Sequence, residues 1–454
     1  MRASEMATIM SGKYFGPTEL IVSGECQFDS REVATGDFFM ALQGETTDGH
    51  LFVTDAYKQG AVLAITTREV DGPCIVVTDV LAAVAKLAHA NRMALPNLSV
   101  VAITGSQGKT TTKDLLRTVL SSAGETVAPI GSYNNEIGVP ITLLRCNERT
   151  QFCIVEMGAR HLGDIAVLTE LAVPSVGAVL RVGTAHLGEF GSREGIAHTK
   201  GELIRGLKVG STAVLGTYDE FTPYMSKGLP ISTITFGETH GCDIRGADIE
   251  IRGGYPHFDL VTPVGREPVE LHLLGAHQVS NALAASAIAY ALGISTQQIA
   301  AALSTHQPSS KWRMEIHEGS GQLLINDSYN ASPESMEAAI RTLILLTQER
   351  GGRSWAFLGT MHELGEASSK FHRQISQAVI ELGVDHFVAI ANDDYVKDLP
   401  ESQTQIHVAK TVADAEKFIS ELTAGDCILV KASRAEHLEV LAQSIMNSWH
   451  REEL

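Results

Sequence analysis

At 454 residues the chain is longer than one hydrophobic core usually serves, so two or three domains are expected. With 44% hydrophobic and 19% charged residues it has the composition of a globular enzyme, and a net charge of −18 argues against nucleic acid or an anionic membrane as the main partner. An acidic protein that binds phosphate must do so locally, through a loop, a few cations and metal ions.

Cys26, Cys74, Cys146, Cys153, Cys242 and Cys427 are scattered with no C-x-x-C pair, and free thiols in a reducing compartment are the expectation. No apolar run approaches the length of a membrane span. The opening MRASEMATIMSGKYFG lacks the charged-then-apolar layout of a secretory signal, so a cytoplasmic protein is expected.

Residues 1–97 read as a first unit, with short strands at Leu20–Val22, Asp37–Ala41, Ala61–Thr66 and Cys74–Val77 and a helix over Val80–Met93. Pro96 and Asn97 punctuate its end. Phe28-Asp29-Ser30-Arg31 and Gly36-Asp37-Phe38-Phe39 fall at turns, where exposed Ser and Arg are more often solvated than bound.

Residues 98–306 alternate strand and helix, with strands expected at 99–104, 125–130, 151–157, 176–182 and 211–216. That rhythm implies a doubly wound, largely parallel sheet with ligands at the carboxyl ends of its strands. Within it, the apolar run Val100–Ile103 stops at Thr104 and leads into Gly105-Ser106-Gln107-Gly108-Lys109-Thr110-Thr111. A helical pattern follows, with Leu115, Leu116, Val119 and Leu120 on one face. Strand, glycine turn and Lys-Thr opening a helix is the context of a phosphate-binding loop. Its backbone N–H groups and helix N-terminus face phosphate, Lys109 adds charge and Thr110 offers a hydroxyl to Mg²⁺. The full G-x-x-x-x-G-K-[ST] pattern needs glycine at 103, where Ile103 stands, so the loop is shortened.

Glu156 ends the strand after the loop and is placed to hold Mg²⁺ opposite Thr110. His186 and Glu189 follow the next strand in a glycine-bracketed loop. Lys200, in a helical stretch over 194–207, reads on spacing alone as a surface lysine. Asn134-Asn135-Glu136-Ile137-Gly138-Val139-Pro140 and Gly275-Ala276-His277-Gln278-Val279-Ser280-Asn281 are polar turns into helices, and the amides of the second suit a purine edge. Between them, 241–274 reads as an antiparallel meander, with an Ala-rich helix over Asn281–Leu292 beyond.

Residues 307–454 form a third β–α unit, with strands expected at 322–326, 354–359, 386–390, 404–408 and 426–431. A helix starts after Ser332-Pro333, with serine as N-cap and proline in the first turn. Arg313 and Asp327 stand at the mouth of this unit, placed to close on a nucleotide from the far side. Lys431-Ala432-Ser433-Arg434 ends the last strand with two cations and a hydroxyl, which suits a carboxylate-bearing ligand.

These residues resemble the Mur ligase family over essentially the whole chain. Thr104–Thr111 looks like its T-G-[ST]-x-G-K-[ST]-[ST], Asn134–Pro140 like N-N-x-I-G-V-P, and Asp327-Ser328-Tyr329-Asn330-Ala331 with Ser335-Met336 like D-S-Y-N-A-x-P-x-S-M. The last two point to the branch that adds D-alanyl-D-alanine to UDP-N-acetylmuramoyl-tripeptide. The D-N-P-R of the ligase adding lysine or diaminopimelate is missing from the last unit. Folylpolyglutamate synthase shares the central domain but lacks the Asp29-Ser30-Arg31 and Gly36-Asp37 pattern that serves UDP in this family.

The resemblance implies an α/β protein of three domains: 1–97 binding the UDP-sugar-peptide, 98–306 a central P-loop ATP domain, and 307–454 a Rossmann-like domain closing on ATP and binding D-Ala-D-Ala. It implies amide ligation through an acyl phosphate, in cytoplasmic peptidoglycan precursor synthesis, by a monomer that uses neither nucleic acid nor membrane. ATP would lie on Gly105, Ser106, Gln107, Gly108, Lys109, Thr110, Thr111, Asn135, Gln278, Asn281, Arg313 and Asp327. Thr110 and Glu156 would hold one Mg²⁺; His186 and a CO₂-carbamylated Lys200 would hold a second. Lys109, His186, Lys200 and Arg313 form the catalytic set, and Ser30, Arg31, Asn134, Tyr329, Asn330, Lys431, Ser433 and Arg434 the substrate contacts.

Three positions depart from the family's patterns: Gln278 stands for Asn in G-x-H-N-x-x-N, Thr360 for an acid in G-[DE]-M-x-E-L-G, and Ala432 for Gly in K-G-S-R. The nearest alternative is a sister Mur ligase or a folylpolyglutamate-synthase-like ligase, with another amino acid or folate as substrate; apart from the resemblance, a nucleotide-hydrolysing switch and a nucleotide-binding scaffold remain open. A ligase turns over ATP only with both acceptor and amine, a switch without them, and a scaffold not at all.

Overall fold

The computed structural model describes residues 1–44, 47–185, 187–308 and 310–450. Three sheets organise them. The first holds β1 (Lys13–Phe15), β2 (Cys26–Gln27), β3 (Phe38–Met40), β4 (Leu63–Thr66) and β5 (Cys74–Val76), with α1 (Ala3–Met10), α2 (Val53–Gln59) and α3 (Val80–Ala94) around it. Its order is β1-β5-β4-β3-β2, parallel except for β1 against β5. No helix is expected from the sequence before β1. Nevertheless Ala3, Met6, Ala7 and Met10 recur at helical spacing, and burying that face forms α1. The strand expected at Leu20–Val22 is only a single bridge between Ile21 and Arg2.

The central sheet follows, from β6 (Ser99–Thr104), α4 (Lys109–Ser121), β7 (Thr126–Val127), α5 (Gly138–Leu144), β8 (Phe152–Glu156), α6 (Asp164–Ala172), β9 (Val176–Val179), α7 (Leu187–Phe190) and α8 (Arg193–Arg205) to β10 (Thr212–Gly216) and β11 (Ser232–Gly237). The meander β12 (Ile244–Arg252), β13 (Tyr255–Thr262) and β14 (Gly265–Glu270) completes it, and α9 (Gln278–Ala291) and α10 (Thr296–Leu303) pack behind. The order is β14-β13-β12-β11-β10-β9-β6-β8-β7, parallel from β7 to β12 and antiparallel through the meander.

The chain reverses its direction across the sheet at β6, which opens a crevice at that strand's carboxyl end. Val101 and Ile103 enter the core beneath α4 and α9, while Val100 and Ala102 enter the opposite core beneath α5, α6 and α8. Two-sided burial explains the unbroken apolar run. β7 is shorter than its apolar run because Pro129 lacks a ladder donor. β11 is a parallel strand that the sequence pattern does not single out, and β14 ends at Glu270, leaving Leu271, Leu273 and Leu274 to bury just beyond it.

The third sheet holds β15 (Glu315–Gly319), β16 (Gln322–Asp327), α11 (Pro333–Arg350), β17 (Ser354–Leu358), α12 (Ser368–Glu381), β18 (His386–Ile390), β19 (Gln405–Ala409), α13 (Val412–Ala415), β20 (Cys427–Lys431) and α14 (Glu439–Trp449). Its order is β15-β16-β20-β17-β18-β19, parallel except for β15. Ser332 caps α11 in a capping box with Ser335, as its position before Pro333 predicts. All six cysteines are free, and no helix among the described residues is long and apolar enough to cross a membrane.

Leu116 is fully buried on α4, the helix that the phosphate loop opens. Leu116→Ala is expected to destabilise the central unit by about 2–5 kcal/mol, read as an earlier thermal transition of the intact chain. A melting curve superimposable on the wild type would contradict this packing.

Candidate nucleotide and ligation site

The loop between β6 and α4 needs glycine where it turns. Gly108 caps α4 with φ of +79°, and a Cβ there would stand 2.2 Å from the side-chain oxygen of Asn281. Lys109 curls back over the loop, its Nζ donating to the carbonyl of Gly105 at 2.7 Å. Burial lowers the Lys109 pKa; Glu156 opposes that shift and Arg313 adds to it.

Beneath the loop, β6 and β8 pair in register, with Ile103 opposite Glu156. The Thr110 hydroxyl donates to Glu156 Oε2 at 3.0 Å and the Asn134 amide to Oε1 at 2.9 Å. Ser132 Oγ lies 3.2 Å from Thr110 Oγ1. Arg313 arrives from the segment leading into the third sheet. Its Nη2 donates to Thr110 Oγ1 at 3.2 Å and to Ser132 Oγ at 3.1 Å, and its guanidinium stacks 4.0 Å over the Tyr329 ring. Ser132 does not stand out in the sequence; its only signal is its place two residues before Asn134.

A cavity of about 410 Å³ runs from this cluster between the central and third sheets. Ser106–Thr111, Asn134, Glu156, Gln278, Asn281, Arg313, Asp327, Tyr329, Asn330 and Lys431 line it. Gln278 and Asn281 are buried on the first turn of α9, with the Asn281 amide donating to Gln278 Oε1 at 2.8 Å. Beside them burial pushes His277 down to about 4, with Asp327 opposing and Lys431 adding, so the ring is neutral near pH 7.

A second cavity, about 520 Å³, meets the first at Lys109, Asn134 and Glu363. Ala159, Arg160, His161, Val167, Leu168 and Lys200 also line it. Lys200 corrects the reading from spacing: it is only 4% exposed. Burial, with Lys109 adding, pulls its ammonium down to about 7, and no carboxylate among the described residues pairs with it.

Other candidates are placed differently from expectation. Asn135 lines the second cavity rather than the nucleotide cleft, and its side-chain oxygen caps α5 by accepting from the amides of Ile137 and Gly138. The two cations at the end of β20 are held within the chain. Lys431, 2% exposed, donates to Asp327 at 2.6 Å and to the carbonyl of Asn330 at 2.8 Å. Arg434 pairs with Glu439 at 2.6 Å and stacks on Trp312, and Ser433 accepts from the amide of His362. Asp327 in turn accepts from the amide of Met314, so it orients the residue after Arg313.

Ser30 and Arg31 lie outside both cavities, with Arg31 paired to Asp29 at 2.6 Å. Beside them, the Phe28 ring meets Tyr133 edge-on at 5.7 Å. His186 lies outside the described residues. Of the departures, Ala432 is fully buried with its methyl facing Gly359, and Thr360 contributes its carbonyl to the amide of Ser433.

Comparisons with known proteins agree with this architecture. The family model for the Mur ligase family catalytic domain matches residues 25–105, that for the Mur ligase middle domain 103–289, and that for the Mur ligase glutamate ligase domain 312–434. The chain is 38% identical to the UDP-N-acetylmuramoyl-tripeptide–D-alanyl-D-alanine ligase of Mycobacterium tuberculosis, over 94% of this chain and 92% of that protein. Among solved structures, MurF from Acinetobacter baumannii is similar at a TM-score of 0.87 and 32% identity, covering 98% of both chains. MurF from Thermotoga maritima in complex with ADP is similar at a TM-score of 0.81 and 29% identity, covering 95% of this chain and 99% of that one. With that likeness running through all three sheets and the phosphate loop, the chain belongs to the Mur ligase family.

Proposed function

We propose that this protein joins D-alanyl-D-alanine to UDP-N-acetylmuramoyl-tripeptide at the expense of ATP, a cytoplasmic step of peptidoglycan precursor synthesis. One observation carries the reading. Arg313, from the third sheet's side, reaches Thr110 and Ser132 at the foot of a phosphate loop on the central sheet, beside a second cavity large enough for an acceptor. The 38% identity to a curated ligase of that activity names the substrates.

ATP lies in the first cavity with its phosphates on the loop and its base toward Gln278 and Asn281. The acceptor takes the second cavity, its UDP end toward Ser30 and Arg31 in unit 1–97 and its tripeptide carboxylate toward Lys109. That carboxylate attacks the γ-phosphate, ADP leaves, and the amine of D-Ala-D-Ala, delivered by unit 307–454, displaces phosphate from the acyl phosphate. Lys109 and Arg313 offset the repulsion between anionic nucleophile and anionic phosphate, and the walls hold the reactants in line.

The residues present fit Mg²⁺. The Thr110 hydroxyl and Glu156 carboxylate converge, and Asn134 fixes the other carboxylate oxygen. No group of three or more His, Cys, Asp or Glu among the described residues gathers around a metal position, so phosphate oxygens and water would complete the coordination. The ion supplies charge neutralisation at the transferring phosphate.

Lys200 suits carbamylation. Its lowered pKa leaves a neutral amine whose nitrogen adds to the carbon of CO₂ with release of a proton, giving an anion in place of a buried cation. This adduct would serve a second Mg²⁺ together with His186.

Phosphate release from ATP is expected only when UDP-N-acetylmuramoyl-tripeptide and D-Ala-D-Ala are both present, with a product mass of the joined pentapeptide. Release with neither would replace the ligase by a nucleotide switch. Arg313→Lys loses the planar fork that spans two hydroxyls and stacks on Tyr329. It is expected to lower kcat by roughly a hundredfold, and an unchanged kcat would remove Arg313 from the site. Lys200→Ala should bind ATP yet lose most turnover. With ¹³C-bicarbonate, the wild-type carbamate signal should rise as pH climbs through about 7, because the amine loses its proton there. Loss of that signal in Lys200→Ala completes the test, and a wild type without the signal would refute the carbamate.

A further inference from the structure

Glu334, on the first turn of α11, is used by none of the steps above. Its carboxylate accepts three hydrogen bonds from the central unit. Gln107 Nε2 donates to Oε2 at 2.8 Å, and the Thr184 amide and hydroxyl both donate to Oε1 at 2.9 Å. Gln107 Nε2 also reaches the hydroxyl of Ser332, the cap of the same helix, at 2.9 Å. Gln107 belongs to the phosphate loop, and Thr184 lies beyond the end of β9.

The chemistry requires an acceptor. All three groups facing Glu334 are donors, and an ionised carboxylate has lone pairs for all of them. A glutamine would turn an N–H toward one of them, and an aspartate is one carbon short.

Further contacts seat the same two units. The Gly188 amide donates to the carbonyl of Glu363 at 3.1 Å, and a Cβ on Gly188 would meet the backbone of Gly365 at 2.7 Å. The connecting segment is constrained as well. Trp312 and Met314, which flank Arg313, hold φ of +60° and +50°, a region that residues with a side chain seldom adopt.

We propose that Glu334 is a positioning residue, a latch that seats the third unit on the phosphate loop through Gln107 and Thr184 and so brings Arg313 to Thr110 and Ser132. Because Gln107 sits in the loop that grips phosphate, nucleotide binding and closure stabilise one another, and the coupling acts equally in both directions. The latch requires only that the loop binds nucleotide, so it stands apart from the identity of the acceptor and amine.

The test is small-angle scattering of the full chain without ligands, beside ATP kinetics. Glu334→Ala should enlarge the radius of gyration and raise the KM for ATP about tenfold, the scale of lost bonds to a charged acceptor. Gln107→Ala leaves the Thr184 bonds and should do so less, and the double variant should lie close to Glu334→Ala, because only the Gln107–Ser332 bond remains to be lost. Gln107→Glu sets two carboxylates together and should open the chain; adding Glu334→Gln restores a donor–acceptor pair and should close it again. A Glu334→Ala chain as compact as the wild type, with KM within about twofold, would overturn the latch, as would multiplying effects in the double variant. Scattering needs neither acceptor nor turnover, so this outcome is independent of the ligation assay.

Discussion

The carboxylate of Glu156 is the group on which the site depends. It is 1% exposed, and a buried charge is tolerated only where donors and countercharges surround it. Thr110 and Asn134 supply the donors, from the helix after the phosphate loop and from the turn before α5. Lys109 and Arg313 supply positive charge nearby. The same carboxylate that orders these side chains presents the anionic oxygens a divalent cation needs. The arrangement that keeps this buried charge satisfied is therefore also the one proposed to hold the ion.

A second buried charge pair shapes the opposite wall. Asp327 and Lys431 sit across from each other in parallel register on β16 and β20, and their bond keeps either charge from standing alone in the core. Asp327 then spends its other oxygen on the amide of Met314, which aims the neighbouring Arg313 across the cleft. Lys431 lines the cleft and also holds Asp327, whose other oxygen accepts from the amide beside Arg313.

Nucleotide, acceptor and amine would converge where the two cavities share Lys109. The acceptor side is roomy, walled by Ala159, Val167 and Leu168, and carries Arg160 and His161 near its rim. Glu136, Asp164 and Glu363 line it as well, so its charge is mixed. The net charge of −18 does not oppose an anionic nucleotide, because Lys109 and Arg313 are gathered at the loop.

What the sequence by itself determined is what local rules control. The unbroken apolar run of β6, the glycine turn, Lys109 and Thr110 opening α4, and the Ser332-Pro333 cap of α11 all follow from neighbours a few residues apart, and each stands in the structure. The α1 helix is not expected from the sequence, although Ala3, Met6, Ala7 and Met10 share the face that it buries. Tertiary structure decided the rest. Lys200 reads as a surface residue until α8 packs it against the site, and the lowering of its pKa is a consequence of that burial. Ser132, Glu334 and the pairing of Lys431 with Asp327 join residues from separate strands and separate sheets, and no spacing along the chain encodes them. Backbone propensity and side-chain periodicity act over one or two turns of chain, whereas desolvation and charge pairing depend on which surfaces come to face one another.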